Sequence, residues 1–320
     1  RFSTADFPNP FFHAPLRFGI CRNLCVLILP DCTGGEGGDE KRDDTIVGGA
    51  AFFELLADAL AVRHLHAKRA ALGLLGGQEV ALLEVRKELD DLRKTLLQNS
   101  IGADIVLDLH SDAQALPHLY ASVHHRELAA ELGCDLGARA VLIETEAGGS
   151  PFDECNAGVW WKLNERLGHK APIPLACFSS TIELRGEQDV DDDLASQDAG
   201  AIVRFLQRRG LIKGDPKALP AALCTPTPLE GTDIVYAPAA GIVVYRKQLG
   251  DWVEAGEVIA ELIDPMADSA QGARIPMISR TSGLFFAHMS SRLLAPGAAF
   301  AKIAGETPLQ HREAGNLLEA

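Results

Sequence analysis

Residues 103–112 read ADIVLDLHSD, an apolar and partly β-branched run that reaches His110. A run of this kind predicts a buried strand with the histidine at its C-terminal end. Two similar runs, LCVLILPDC at 24–32 and LACFSSTIEL at 175–184, predict further buried strands, and a fourth is expected at 139–144. We expect these strands to form the centre of a sheet.

Helical segments alternate with these strands. The clearest is 79–99, where apolar residues recur at 82, 85, 89, 92 and 96, as they do on one face of an amphipathic helix. Further helices are predicted at 46–75, 126–136 and 192–209. The alternation predicts an α/β fold with a mixed, mostly parallel sheet and helices on both faces.

The composition changes after residue 210. Prolines are frequent between 214 and 231, which indicates a linker. Two similar Gly-containing β units follow, which predicts a barrel-sandwich-like, all-β domain. They resemble the half-motifs of biotinyl and lipoyl carrier domains, but the turn at 264–276 has no lysine to carry a cofactor. We expect an α/β domain at 1–213, a linker at 214–231 and a β domain at 232–320.

The composition also argues against several classes of protein. A formal net charge of −14 disfavours a nucleic-acid partner, which needs a basic face. No apolar run approaches the roughly 20 residues that span a bilayer, so no membrane association is expected. Seven scattered cysteines fit a reduced, cytoplasmic protein better than a disulfide framework. The opening RFSTADFPNP lacks the pattern of a signal peptide.

His110 is the strongest candidate for chemistry. Open α/β sheets place their sites at the C-terminal ends of strands, and a histidine there is a natural metal ligand. Asp108 lies two residues earlier on the same side of the predicted strand, where its carboxylate can orient the imidazole. The alternative is a histidine that only caps the strand.

Glu183 ends another predicted strand. A carboxylate in that place can take a proton from a water molecule and return it to a leaving amine. Arg185, two residues on, can bind a substrate carboxylate through two hydrogen bonds. The alternative is a structural Glu–Arg pair.

Asp39 and Glu40 follow a Gly-rich turn at 34–38. From there a carboxylate can reach a metal ion held by His110. The alternative is a solvated acidic patch, because other carboxylates lie close by in the sequence.

Three segments together resemble the succinylglutamate desuccinylase/aspartoacylase family, relatives of the zinc carboxypeptidases. DIVLDLHSD at 104–112 is similar to the family's metal-binding DLH motif, and TGGEGGDE at 33–40 is similar to its first metal motif. TIELRG at 181–186 resembles the segment that carries the catalytic glutamate. Residues 148–154 and the β tail resemble a bacterial subgroup.

The resemblance implies a zinc carboxypeptidase-like fold and one zinc ion per chain. It implies Glu40 and His110 as metal ligands, Glu183 as general base and acid, and Arg185 as a substrate-binding residue. The chain departs from the family at Gly37, where a histidine ligand is expected.

The family's Asn-Arg segment is also not found between residues 60 and 100. Candidates for the third ligand are Asp39, His64, His66 and His118. Alternatively, this part of the sequence contains an error or a gap, or the chain has lost its zinc.

We therefore expect a zinc-dependent amidohydrolase that cleaves the amide bond of a small N-acyl amino acid or a related compound. The alternative, motivated by Gly37, is a non-catalytic small-molecule-binding protein on the same fold. The β tail is expected to cap the mouth of the pocket, to mediate homo-oligomerisation, or both.

Overall fold

The apolar run around residue 107 forms the middle of a seven-stranded sheet. In this computed structural model the described residues are 17–21, 24–29, 91–269 and 272–317. The first eight strands in chain order are β1 Arg17–Cys21, β2 Leu24–Leu29, β3 Ile105–Asp112, β4 Gln114–Ala115, β5 His118–Ser122, β6 Ala140–Glu144, β7 Phe178–Gly186 and β8 Thr227–Pro228. Their order across the sheet is β1-β2-β3-β7-β5-β6-β8. β4 is not part of this sheet and pairs with a strand of the C-terminal region.

The large sheet is mixed, as predicted, but half of its strand pairs are antiparallel, which corrects the expectation of a mostly parallel sheet. Three strand pairs are parallel, β3 with β7 and β6 with both β5 and β8. The other three pairs are antiparallel. A short connection explains one of the antiparallel pairs, because a parallel pair needs a crossover of a dozen or more residues. Only two residues separate β1 from β2.

The helices within the described residues are α1 at 91–100, α2 Arg126–Leu136, α3 Phe152–Leu167 and α4 Asp192–Arg208. The predictions for α2 and α4 are confirmed to within one residue, whereas α3 was not predicted. Asp191 begins α4 as its N-cap, and its side chain accepts hydrogen bonds from two backbone N–H groups in the first turn. The first part of the helix predicted at 79–99 and the whole of that at 46–75 lie outside the described residues.

The two faces of the large sheet pack against different partners. Alternate residues of a strand point to opposite faces. On one face Leu107 and Ile182 pack with α2 and α4 in the main core. On the other face Val106 packs with Phe152 and Trp160 of α3. Helices therefore cover both faces, as predicted, and Asp108 and His110 share the face of Val106.

After β8 and a short 3₁₀ turn at Leu229–Gly231, the described residues form further strands. These strands are β9 Thr232–Tyr236, β10 Gly241–Tyr245, β11 Trp252–Val253, β12 Val258–Ile263, β13 Arg274–Ile278, β14 Gly283–His288, β15 Leu293–Leu294 and β16 Ala299–Gly305. They form two antiparallel sheets, ordered β13-β12-β10-β15 and β11-β14-β16-β9, around a separate apolar cluster. A C-terminal β region is thus present, while its closure as a barrel-sandwich and the domain boundaries at 213 and 232 stay predictions.

The C-terminal strands also contact the α/β part. Phe286 and Ala287 of β14 pack with Leu142 of β6 in a third apolar cluster, and β14 pairs with β4. Among the described residues, those up to 29 and those from 99 onward belong to one compact unit, whereas residues 91–98 belong to another. Among the described helices, none is long and apolar enough to cross a membrane.

Candidate active site

Three polar side chains form a row across the centre of the large sheet. His110 on β3 lies opposite Glu183 on β7, and Glu183 lies opposite His118 on β5. Residues paired in register on neighbouring strands point to the same face. A second row, two residues along each strand, places Asp108 and Tyr120 on that face too. The strand pairing therefore brings together residues from three separate parts of the sequence.

His110 is held by Asp108, as the sequence predicted. Asp108 is buried, and its Oδ2 lies 3.1 Å from His110 Nε2. The hydrogen bond to Asp108 raises the pKa of His110 above its usual value, while burial acts in the opposite direction. Nδ1 of the imidazole remains for a ligand. A histidine whose second nitrogen is fixed by a carboxylate is typical of metal-binding histidines.

Glu183, the predicted general base, lies partly buried on this face. Burial, followed by the charge of Asp112, raises the pKa of Glu183 to about 7 against the lowering effect of His110 and Lys302. Its Oε2 has no hydrogen-bond partner among the described residues. A carboxyl group with a pKa close to neutrality can both accept and return a proton.

His118 is a neutral histidine inside the site. Burial lowers the pKa of His118 to about 4, and Nδ1 lies 2.8 Å from the carbonyl oxygen of Leu116. Because a carbonyl can only accept, Nδ1 carries the proton and Nε2 is left as an acceptor. Nε2 lies 3.4 Å from the hydroxyl of Tyr120. His118, considered above as a third metal ligand, therefore has a nitrogen in a suitable protonation state.

Lys302 lies beside this face and comes from the C-terminal β region, where no sequence pattern marked it as a site residue. Its Nζ donates a hydrogen bond of 2.6 Å to Oδ2 of Asp112, at the end of β3. The positive charge of Lys302 lowers the pKa of Glu183. Burial raises the pKa of neighbouring Tyr120 to about 12, although Lys302 lowers it.

Arg185 lies close to Glu183 in sequence but binds a different carboxylate. Its backbone has a φ of +92°, which interrupts the alternation of the strand. The guanidinium forms an ion pair with the carboxylate of Asp198 on α4, a helix that packs on the opposite face. Arg185 Nε has no hydrogen-bond partner among the described residues. The predicted role of Arg185 in binding substrate stays a prediction.

Among the described residues, His110 is the side chain whose surroundings best suit a metal ligand. His110 fits a zinc ion because of its pairing with Asp108, and zinc commonly takes three protein ligands in catalytic sites. Within the described ranges, no three His, Cys, Asp or Glu side chains are arranged to hold a metal ion together. The other candidates, Asp39, Glu40, His64 and His66, lie outside the described residues, as does Gly37.

Comparison with solved structures identifies proteins of the same fold. One is assigned as a succinylglutamate desuccinylase/aspartoacylase, from Shewanella frigidimarina NCIMB 400. Its TM-score is 0.60 at 23% identity, covering 82% of this chain and 65% of that protein. A protein assigned to the same family, from Shewanella amazonensis SB2B, gives a TM-score of 0.57 at 22% identity over 77% of this chain and 69% of its own.

These comparisons confirm the expected resemblance at the level of the fold. The chain spans about two thirds of the length of the two proteins. No family model matches the chain, and no curated protein does so.

Proposed function

We propose that this chain, which shares the fold of succinylglutamate desuccinylase/aspartoacylase proteins, is a hydrolase of amide bonds. Its substrate would be a small N-acyl amino acid or a related compound. The observation that carries the proposal is the row of His110, Glu183 and His118 on one sheet face. It combines an oriented imidazole with a carboxyl group whose pKa lies near neutrality.

Glu183 performs the proton transfers in this proposal. Its carboxylate accepts a proton from the water molecule that attacks the acyl carbonyl carbon. The same proton then passes to the nitrogen of the leaving amine when the carbon–nitrogen bond breaks. Positioned acid–base groups of this type increase the reaction rate by a factor of about 10²–10⁴.

Zinc, one ion per chain, is the proposed cofactor, with His110 and Glu40 as ligands. When bound, the ion would act as a Lewis acid on the acyl carbonyl and acidify the attacking water. Asp108 would hold the His110 imidazole in a single orientation. Arg185 would bind a substrate carboxylate once its guanidinium has left Asp198.

The test is an amine-release assay with purified protein and added zinc on a panel of N-acyl amino acids. We expect turnover of at least one compound by the wild type and a fall in kcat of about 10²–10⁴ for Glu183→Gln. Glu187→Gln is the matched control, because Glu187 is an exposed glutamate just beyond the same strand. The hydrolase proposal fails if the wild type and Glu183→Gln are equally inactive on every compound.

The second candidate is a small-molecule-binding protein without catalysis. It is favoured by Gly37, which occupies the position of an expected histidine ligand. The zinc content after purification without chelators separates the two candidates. One ion per chain supports the hydrolase, whereas clearly sub-stoichiometric zinc together with the absence of turnover supports the binding protein.

A further inference from the structure

Two successive strand pairings hold the backbone of Lys302 next to the candidate site. On β16 it pairs with Ala287 of β14, and Ala287 pairs in turn with Ala115 of β4. The ring of Phe286, next to Ala287, lies 4.8 Å from the ring of His118. Backbone hydrogen bonds therefore hold the base of the lysine side chain beside the segment that links His110 to His118.

The side chain of Lys302 is both anchored and partly exposed. One hydrogen bond, to Asp112, fixes its position. Burial works against the charge, but Tyr120, Asp112 and Glu183 hold the pKa of Lys302 above its ordinary value. The side chain is 31% exposed. An ammonium has three donors, so two remain for a ligand besides the one given to Asp112.

Two other side chains of the site, those of His110 and Glu183, are also partly exposed. His110 is also 31% exposed at its side chain, and Glu183 is partly exposed, whereas His118 and Asp108 are buried. An acyl group attacked by water near Glu183 therefore lies close to a cation contributed by the C-terminal β region. Arg185 is not available in the same way, because its guanidinium pairs with Asp198.

We propose that Lys302 is a catalytic residue that binds the oxyanion formed on the acyl carbonyl oxygen during hydrolysis, an inference that rests on the proposed function. As water attacks, its proton passes to Glu183 and its oxygen bonds to the acyl carbon. The carbonyl π electrons move to the carbonyl oxygen, which becomes negative beside Lys302. When these electrons re-form the carbonyl double bond, the carbon–nitrogen bond breaks and the amine takes the proton from Glu183.

The proposal predicts an effect on the transition state rather than on ground-state binding. The carbonyl oxygen gains its charge only after attack, so the lysine contributes most in the transition state. Removing one donor of this kind typically lowers kcat about 10²–10³-fold. Lys302→Met is therefore expected to lower kcat by that factor with little change in KM, and Lys302→Arg is expected to recover part of the loss.

A tetrahedral phosphonate analogue of an N-acyl amino acid provides a readout that a purely structural role would not change. We expect calorimetry to show that Lys302→Met weakens binding of the phosphonate by about the same factor as kcat falls, while binding of the amino acid product stays close to that of the wild type. Lys302→Gln, which keeps a hydrogen bond to Asp112 without the charge, replaces Lys302→Met if the latter fails to fold. Lys247→Met is the matched control, since Lys247 forms an ion pair with Glu257 in the same β region.

Three results would overturn the proposal for Lys302. One is an unchanged kcat in the neutral variants, and another is a rise in KM alone, which would indicate a ground-state anchor. The third is unchanged phosphonate binding. Because phosphonate binding does not require turnover, a wild type that binds the analogue through Lys302 but hydrolyses nothing contradicts the proposed function and leaves the anion-binding role intact.

Discussion

Asp153 is a carboxyl group buried at the start of α3, the helix on the Glu183 side of the sheet. Burial, followed by the charge of Glu154, raises the pKa of Asp153 to about 7. The pKa of Glu144 on β6 is also raised, chiefly by burial. Each group holds its proton more tightly in the folded state than in the unfolded state. Folding stability is therefore expected to fall as the pH rises from about 4 towards 7.

Replacing Asp153 by asparagine should remove its part of this pH dependence. Near pH 4 the wild-type carboxyl is already neutral in the folded state, so the two proteins should have similar stability. By pH 8 Asp153→Asn should be more stable, by up to about 4 kcal/mol for a shift of about three pKa units. Urea unfolding between pH 5 and 8 measures the difference.

Asp192→Asn serves as the control for Asp153, because Asp192 is an exposed aspartate in the first turn of α4. Its stability difference from the wild type should stay constant with pH. A lower stability of Asp153→Asn at every pH would show that the carboxylate makes a favourable interaction, and would contradict the prediction.

At the scale of single residues, the two-residue period of a strand predicted correctly where Asp108 lies relative to His110. It did not predict where Arg185 lies relative to Glu183. Asp108 and His110 are two residues apart on a regular strand, so their side chains meet as expected. Glu183 and Arg185 have the same spacing, but the positive φ of Arg185 ends the alternation. The sequence contains no local signal for that conformation, because non-glycine residues with positive φ are uncommon.

At the scale of helices, α2 and α4 are joined by a buried carboxylate. Asp135 near the end of α2 accepts hydrogen bonds from Arg208 of α4 and forms an ion pair with Arg204, and its own side chain is fully buried. Removing one partner of a buried charge pair leaves the other uncompensated. The two arginines are partly exposed, which moderates the cost because water can reach them.

We expect Asp135→Ala to lower the free energy of unfolding by about 2–4 kcal/mol. Glu131→Ala is the matched control, because Glu131 pairs with Arg209 across the same two helices closer to solvent. It should cost less than about 1 kcal/mol. Chemical denaturation of both variants measures the difference, and equal losses would mean that burial does not decide the strength of these pairs.

The helices also show where hydrophobic patterning succeeds. In α4 the buried positions include Ile202, Phe205 and Leu206, which supply the apolar period that predicted the helix. In α3 the buried positions include Asp153 and Asn156. A helix that buries polar residues has a weak apolar period, so its presence depended on contacts that the sequence alone does not display.

At the scale of the whole molecule, the site takes residues from both parts of the chain. Lys302 and Asp112 are 190 positions apart, and their contact depends on the pairing of β14 with β4. The sequence predicted that a β region follows the α/β part, but not which of its side chains faces Glu183. Which side chain faces Glu183 depends on the register between β14 and β4. Local sequence patterns do not specify the register between two strands.

Hydrolysis of the best N-acyl substrate in water labelled with heavy oxygen tests the central claim most directly. The account predicts one labelled oxygen in the released acid and none in the amine, with a kcat for Glu183→Gln lower by about 10²–10⁴. It would be contradicted if the acid carried no label, or if Glu183→Gln released amine at the wild-type rate.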